Sequence, residues 1–353
     1  MEEAVESEAV RRRLAVAVIV AAALATALLL WAKWVPYGAK VPGLAGSGVW
    51  PGSDILRTGG VRAGDAPSWG AATSFTGAYA RAVWRALLAA LLISAALQTL
   101  VPRAWLLRLL NRPGRLQSAL AGGLAGTPSM MCTCCTAPVA VGLRRRGANI
   151  AAVVAYWLGN PLLNPAVIVF LLLVAPWQWT ATRLVVGALV VVGGAALVSR
   201  IAEGRSPAVP VVVDEVEDQG PSLRRYQAVL LRLGVTLVPE YLVVVMLVGA
   251  FRGWLLPLGP GPASGLLLVV VAALLGTALV IPTAGEIPVA QGMALAGLSL
   301  GGVGALLVTL PAVSLPGMVM VWRAFGWRVT VATAGVAAAG GVLAAGMLVL
   351  LTR

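Results

Sequence analysis

A helix-breaking motif occurs twice in this chain, 150 positions apart and both times inside apolar sequence. The first copy runs Gly126-Thr127-Pro128-Ser129-Met130-Met131-Cys132-Thr133-Cys134-Cys135-Thr136-Ala137-Pro138-Val139-Ala140-Val141-Gly142, and the second keeps Gly276-Thr277, Thr283, Pro288-Val289-Ala290 and Gly292. Gly147 and Pro161 return as Gly297 and Pro311. Glycines and prolines dictate backbone shape, so what repeats is a local geometry. An internal repeat with an interrupted helix in each copy is the pattern of a transporter core.

The rest of the sequence restricts the class further. With 59% apolar residues and 11% charged, in stretches near twenty residues long, the chain reads as a polytopic all-α membrane protein. Its net charge of +13 would suggest nucleic acid in a soluble protein. Here the arginines fall mainly at segment ends, where they orient helices, and no nucleic-acid partner is expected. The absence of histidine removes His-based acid/base chemistry, zinc-protease motifs and haem ligation together. The three cysteines lie within four positions, too close to staple distant elements, and read as free thiols or soft ligands. No phosphate-binding loop and no cofactor motif occurs, so neither an enzyme nor a cofactor is expected.

Along the chain, an uncleaved first span (Leu14 to Leu30) ends in Trp31-Ala32-Lys33-Trp34, read as an aromatic interface anchor. Lys33 to Ser74, rich in Gly, Pro and Trp, reads as an external loop, and a span follows from about Gly77 to Val101. Only 28 residues separate Arg115 from Arg144, whereas two crossings need roughly 40. With Pro128 and Pro138 interrupting it, this segment is expected to enter, turn near the midplane and leave on the same side. Ala148 to Ala175 and Leu184 to Val198 then cross. In the second half Gln227 to Ala250, Leu300 to Val321 and Thr330 to Leu350 cross, with a second hairpin from Gly265 to Gly297. The division expected is 1–76, an N-terminal span and loop; 77–200, repeat 1; 201–226, a cytoplasmic linker; and 227–353, repeat 2.

Charge orients the copies. Arg144-Arg145-Arg146 corresponds to Ala294-Leu295-Ala296, Arg103, Arg108, Arg112 and Arg115 to Gly253, Leu258, Pro262 and Gly265, and Arg323 and Arg328 to Leu173 and Gln178. Every basic cluster has an uncharged counterpart, as expected if equivalent ends face opposite sides. The expectation is therefore inverted repeats with about seven full spans and two re-entrant hairpins, the N-terminus cytoplasmic and the C-terminus external.

Cys132, Cys134 and Cys135 should lie where the first hairpin turns. Pro138 is placed near the first turn of its second half-helix, whose amide groups then point toward the membrane centre and favour negative charge. Thiolates there would suit As(III), Sb(III), Cu(I) or Hg(II). The plainer reading is that cysteine is a common small apolar residue of membrane helices.

The run Cys132-Thr133-Cys134-Cys135-Thr136-Ala137-Pro138, with Gly142, Arg145-Arg146-Gly147 and the pairs Asn160-Pro161 and Asn164-Pro165, resembles the bacterial predicted permeases that include the organoarsenical efflux permeases (the ArsP/YraQ type). The pattern of Pro288, Gly297, Pro311 and Ser314-Leu315-Pro316 is similar to theirs too, and the likeness spans about Gly77 to Leu350. It implies that Cys132 and Cys134 are the thiols that contact a metalloid, and that the location is the bacterial inner membrane. Thr133 replaces the usual serine, and Cys135 stands where glycine is usual.

Of thirteen carboxylates, all but Glu240 and Glu286 lie in tails or loops. An ionised carboxylate at the bilayer centre costs about 2.5 to 3.5 kcal/mol, so it usually faces a cavity or a partner. Glu286 is the preferred proton-coupling group, against backbone pairing near Pro288. Glu240 is the second candidate, against pairing with an arginine. Asn160 and Asn164 could contact substrate or satisfy carbonyls freed by the prolines. Pro128, Pro138, Gly142, Pro288 and Gly292 set hairpin geometry, Arg144 to Arg146 set topology, and Gly122-Gly123 and Gly301-Gly302 allow close packing.

The resemblance above all implies export of a soft, thiol-binding metalloid or organometalloid such as a trivalent arsenical, with proton exchange through Glu286, the bilayer as partner and a homo-oligomer compatible with it. An oxyanion or sulfur-compound permease and a thiol-dependent membrane redox protein are the alternatives.

Overall fold

The computed structural model describes residues 2–51, 55–203, 222–255, 266–295 and 297–353. Most of the expected linker 201–226, and Gly265 at the start of the second hairpin, lie outside them. The described residues are all-helical, and six helices are long and apolar enough to cross a membrane, or seven with one bent pair. They are Leu14–Ser47, Trp69–Thr99, Ile150–Val174, Trp177–Ala202, Leu223–Trp254 and Trp327–Leu351, with Leu300–Ala312 and Leu315–Phe325 bent by 50° at their junction. The sequence reading had a single crossing from Leu300 to Val321. The bend falls at Val313-Ser314, just after Pro311, which has no amide hydrogen to continue the helix.

The N-terminal part departs most from expectation. Helix α1 (Glu2–Leu29) continues through a π-helical turn (Leu30–Trp34) into α2 (Val35–Gly38) and α3 (Val41–Ser47). The expected loop from Lys33 is therefore helical to Ser47, because Pro36 and Pro42 sit in the first turns of α2 and α3, where no helical amide is needed. Leu44 is buried, and Tyr37 and Trp50 pack on Phe170 at 5.7 and 5.6 Å between ring centroids. Helix α4 (Trp69–Thr99) starts eight residues before the expected Gly77, where the Ser68 side chain accepts the Ala71 amide at 3.1 Å.

After α5 (Arg103–Leu110), two short helices, α6 (Arg115–Gly126) and α7 (Thr133–Arg145), flank the cysteine motif. Each is about 20 Å long or less, against roughly 30 Å of bilayer core. Asn111, before α6, donates to the Gly147 carbonyl at 3.2 Å, and the Asn149 side chain donates to Ser118 at 2.8 Å. The chain thus returns after α7 to where it set out. Helices α8 (Ile150–Leu162), α9 (Pro165–Val174), α10 (Trp177–Ala188) and α11 (Ala195–Glu203) complete this half.

The second half holds α12 (Leu223–Leu255), α13 (Leu266–Ala278), α14 (Glu286–Leu295), α15 (Leu300–Ala312), α16 (Leu315–Phe325) and α17 (Trp327–Leu351), and α15, α16 and α17 start 150 positions after α8, α9 and α10. Gly147 and Gly297 end α7 and α14 in the same left-handed conformation, φ 92° and 91°. Each is followed by an amide that closes back onto the helix, Ala148 to Leu143 and Leu298 to Met293. Asn149 and Ser299 then cap α8 and α15 from equivalent positions.

Small residues set the packing. A side chain at Gly122 would run into the Ala152 carbonyl of α8, and one at Gly276 into Thr309 of α15. Gly142 allows α7 onto Ser94 and Gln98 of α4, while a side chain at Gly292 would meet nothing within 4 Å. Close backbone approach replaces the missing hydrophobic drive between helices in lipid. Helix α4 also orders the two ends of the molecule, being about 46 Å long. Arg103, just past its C-terminal end, bonds the Arg146 carbonyl at 3.1 Å. Near its first turns, Arg252 bonds Leu56, Ala71 and Thr58, and Leu56, Arg57 and Arg62 line a cavity of about 370 Å³ with Val289, Gly292 and Met293 of α14. The base of α7 and the end of α14 therefore lie at opposite ends of α4.

Candidate functional site

Cys132 is the N-cap of α7, with Cys134 and Cys135 in its first turn. All three thiols are buried, free and within 4.8 Å of one another. Cys132 Sγ lies 3.1 Å from Cys134 Sγ and 3.0 Å from Cys135 Sγ, and Tyr79 Oη of α4 is 3.2 Å from Cys134 Sγ. Three soft donors on one helix end, bunched without a disulfide, can converge on one thiophilic atom. Pro138 lies not in the first turn but sixth in α7. Helix formation begins as soon as the turn releases the chain at Thr133, which puts two cysteines inside the helix rather than before it. The proline also leaves the Cys134 carbonyl without its helical donor.

The turn itself is strained. Met130, at φ 52°, and Ala284, at φ 69°, are the non-glycine residues with positive φ among the described residues, and each lies in a break between half-helices. Such conformations persist where surrounding contacts hold them. Trp34 Nε1 donates to the Pro128 carbonyl at 2.9 Å, and Asn160 accepts from Ser129 while donating to the Tyr156 carbonyl at 2.9 Å. Asn160 thus ties α8 to the first break.

The two halves meet here. Thr133 and Ser314, at the bend of the second half, are hydrogen-bonded at 3.0 Å, and the Trp157 indole donates to the Thr133 carbonyl at 2.8 Å. The equivalent Thr283 accepts from Lys33 Nζ at 3.1 Å. Lys33 is buried and bonds Tyr37 Oη at 3.0 Å. Reading Trp31 to Trp34 as an interface anchor missed this, since a lysine between two tryptophans carries no sign of facing inward.

Asn164 caps α9 through its side-chain oxygen, which accepts from Ala166 and Val167, while its buried Nδ2 has no partner among the described residues. Glu286 is held by Arg183 of α10 at 2.8 Å, both side chains buried. Arg183 also donates to the Pro161 and Leu162 carbonyls at 2.7 and 3.2 Å, joining the C-terminal end of α8 to the start of α14. The partner of Glu286 is thus a guanidinium 103 positions away, not backbone amides near Pro288. Glu240 pairs with Arg323 at 2.8 Å in a far more exposed setting. Pro288 is in the first turn of α14, and Gly292 borders the basic cavity.

No solved structure matches the chain. It is 40% identical to the UPF0718 protein YraQ of Escherichia coli (strain K12) over 286 residues, 80% of this chain and 81% of that protein. A profile described as a predicted permease matches residues 68–351, from the start of α4 to the end of α17. The chain is a multi-pass membrane protein and belongs to this predicted permease family.

Proposed function

We propose that the protein is an inverted-repeat permease that moves a soft, thiol-binding metalloid, typified by a trivalent arsenical, out of the bacterial cell through its inner membrane. The observation that carries this reading is the buried trio Cys132, Cys134 and Cys135 at the break between α6 and α7, in contact through Thr133 with the bend of the other half. In this reading α6–α7 and α13–α14 are re-entrant hairpins opening on opposite sides, and the thiols take the metalloid from one side while it is released to the other. Asn164 Nδ2, without a partner among the described residues, would donate to the substrate in this reading. Glu286 is the coupling group, and Glu240 the second choice because its pair is exposed. Coupling then requires Arg183 to leave Glu286 during part of the cycle.

Buried Lys33 favours a second reading, an oxyanion or sulfur-compound permease with the cysteines as soft contacts. A strain lacking its own exporters, complemented with this chain and exposed to methylarsenite, antimonite, arsenate and thiosulfate, separates the two. The metalloid reading predicts selective resistance to the trivalent compounds, abolished by thiol reagents on isolated vesicles. Competition by arsenate or thiosulfate with thiol-insensitive flux would instead support the anion permease.

A further inference from the structure

Lys33 brings a hard positive charge to the breaks between half-helices, one of which carries three soft donors. The residue is 5% exposed, with its ammonium bonded to Tyr37 Oη and Thr283 Oγ1 and set over the Tyr37 ring at 5.1 Å. Among the described residues no carboxylate pairs with it. A buried cation without an anion is costly, and an intramembrane one marks a functional position. The neighbouring Trp34 bonds the Pro128 carbonyl, so one helical turn touches the break that carries the thiols and the break that follows α13. That turn lies outside the matched residues 68–351. The thiols therefore come from the family core and the cation from an element beyond it.

Thiols bonded to a trivalent metalloid carry no formal charge and cannot balance Lys33. We propose that Lys33 makes this permease selective for soft metalloid compounds that carry an anionic group, the metalloid bonding the cysteines while the anionic group pairs with the ammonium. This rests on the metalloid reading above. For an arylarsenous acid, two thiols of the trio displace two hydroxyl groups. Two As–O bonds break, two As–S bonds form, two waters leave with the thiol protons, arsenic stays trivalent and the aryl carboxylate is untouched.

The test compares two probes on the purified full chain in lipid nanodiscs: phenylarsine oxide, which is neutral, and its 4-carboxy derivative. The parent should bind the carboxylate at least about tenfold more tightly, the worth of one charge-assisted hydrogen bond. Lys33→Met should bring the ratio to about one, and Lys33→Arg should retain a preference. A purely structural lysine would change both affinities alike and leave the ratio unaltered, which overturns the proposal. So does equal binding of the two probes by the parent, a result that needs no variant. If the parent binds neither probe, the metalloid reading fails and this inference with it.

Discussion

Arg183 and Glu286 are the residues whose removal should be felt most by the fold. Deleting one member of a buried pair leaves an uncompensated charge, at about 3–5 kcal/mol, whereas removing both is far cheaper. Arg183→Met should therefore lower the thermal midpoint in detergent sharply, and Arg183→Met/Glu286→Gln should recover much of the loss. A single variant as stable as the parent would mean that the pair holds nothing together. Glu286→Gln alone leaves Arg183 without its anion and is destabilising too, so coupling is read per folded, substrate-binding molecule. In reconstituted vesicles this variant should still bind substrate but lose flux driven by an imposed pH gradient, and parental flux would remove Glu286 as the proton carrier. Glu286 was legible because a carboxylate in an apolar run stands out. Arg183 was not, since four positions after Trp179 it looks like one more interface arginine, and its partner is 103 positions away. The cysteine cluster was legible from spacing alone, but Tyr79 beside Cys134 was not, because a contact between α4 and α7 leaves no local pattern.

At the level of elements, the repeat was visible because its punctuation is chemical. Gly147 and Gly297 end helices with positive φ, and Asn149 and Ser299 start the next ones. The helix from Lys33 to Ser47 was hidden by the same logic applied too locally. Dense Gly and Pro normally mark a loop, yet here burial of Leu44 and the rings packed on Phe170 hold short helices in line. The contact of α6 with α8 is the tightest constraint that the small residues impose. Gly122→Val has no room against the Ala152 carbonyl and must push α6 off α8. Overpacking of this kind typically costs about 1–3 kcal/mol, enough to lower membrane abundance, whereas Gly292→Ala, with open space around it, should not. Equal abundance of the two variants in quantitative immunoblots would contradict this packing.

For the whole molecule, the opposed ends of α7 and α14 along α4 carry a prediction about sidedness. Single cysteines placed after Arg146 and after Gly297 in a chain lacking the native thiols should react with an impermeant reagent from opposite sides of the membrane. Labelling from one side at both positions would refute inverted repeats. The central claim, that the buried thiols carry the transported atom, is tested most directly by flux of a trivalent arsenical into everted vesicles. The parent should accumulate it, Cys132→Ser and Cys134→Ser should each abolish accumulation at near-normal abundance, and the triple serine variant should match vesicles lacking the protein, because serine keeps the size but not the affinity of a soft donor. Accumulation by the triple variant at the parental rate would contradict the account and return all three cysteines to the role of buried packing residues.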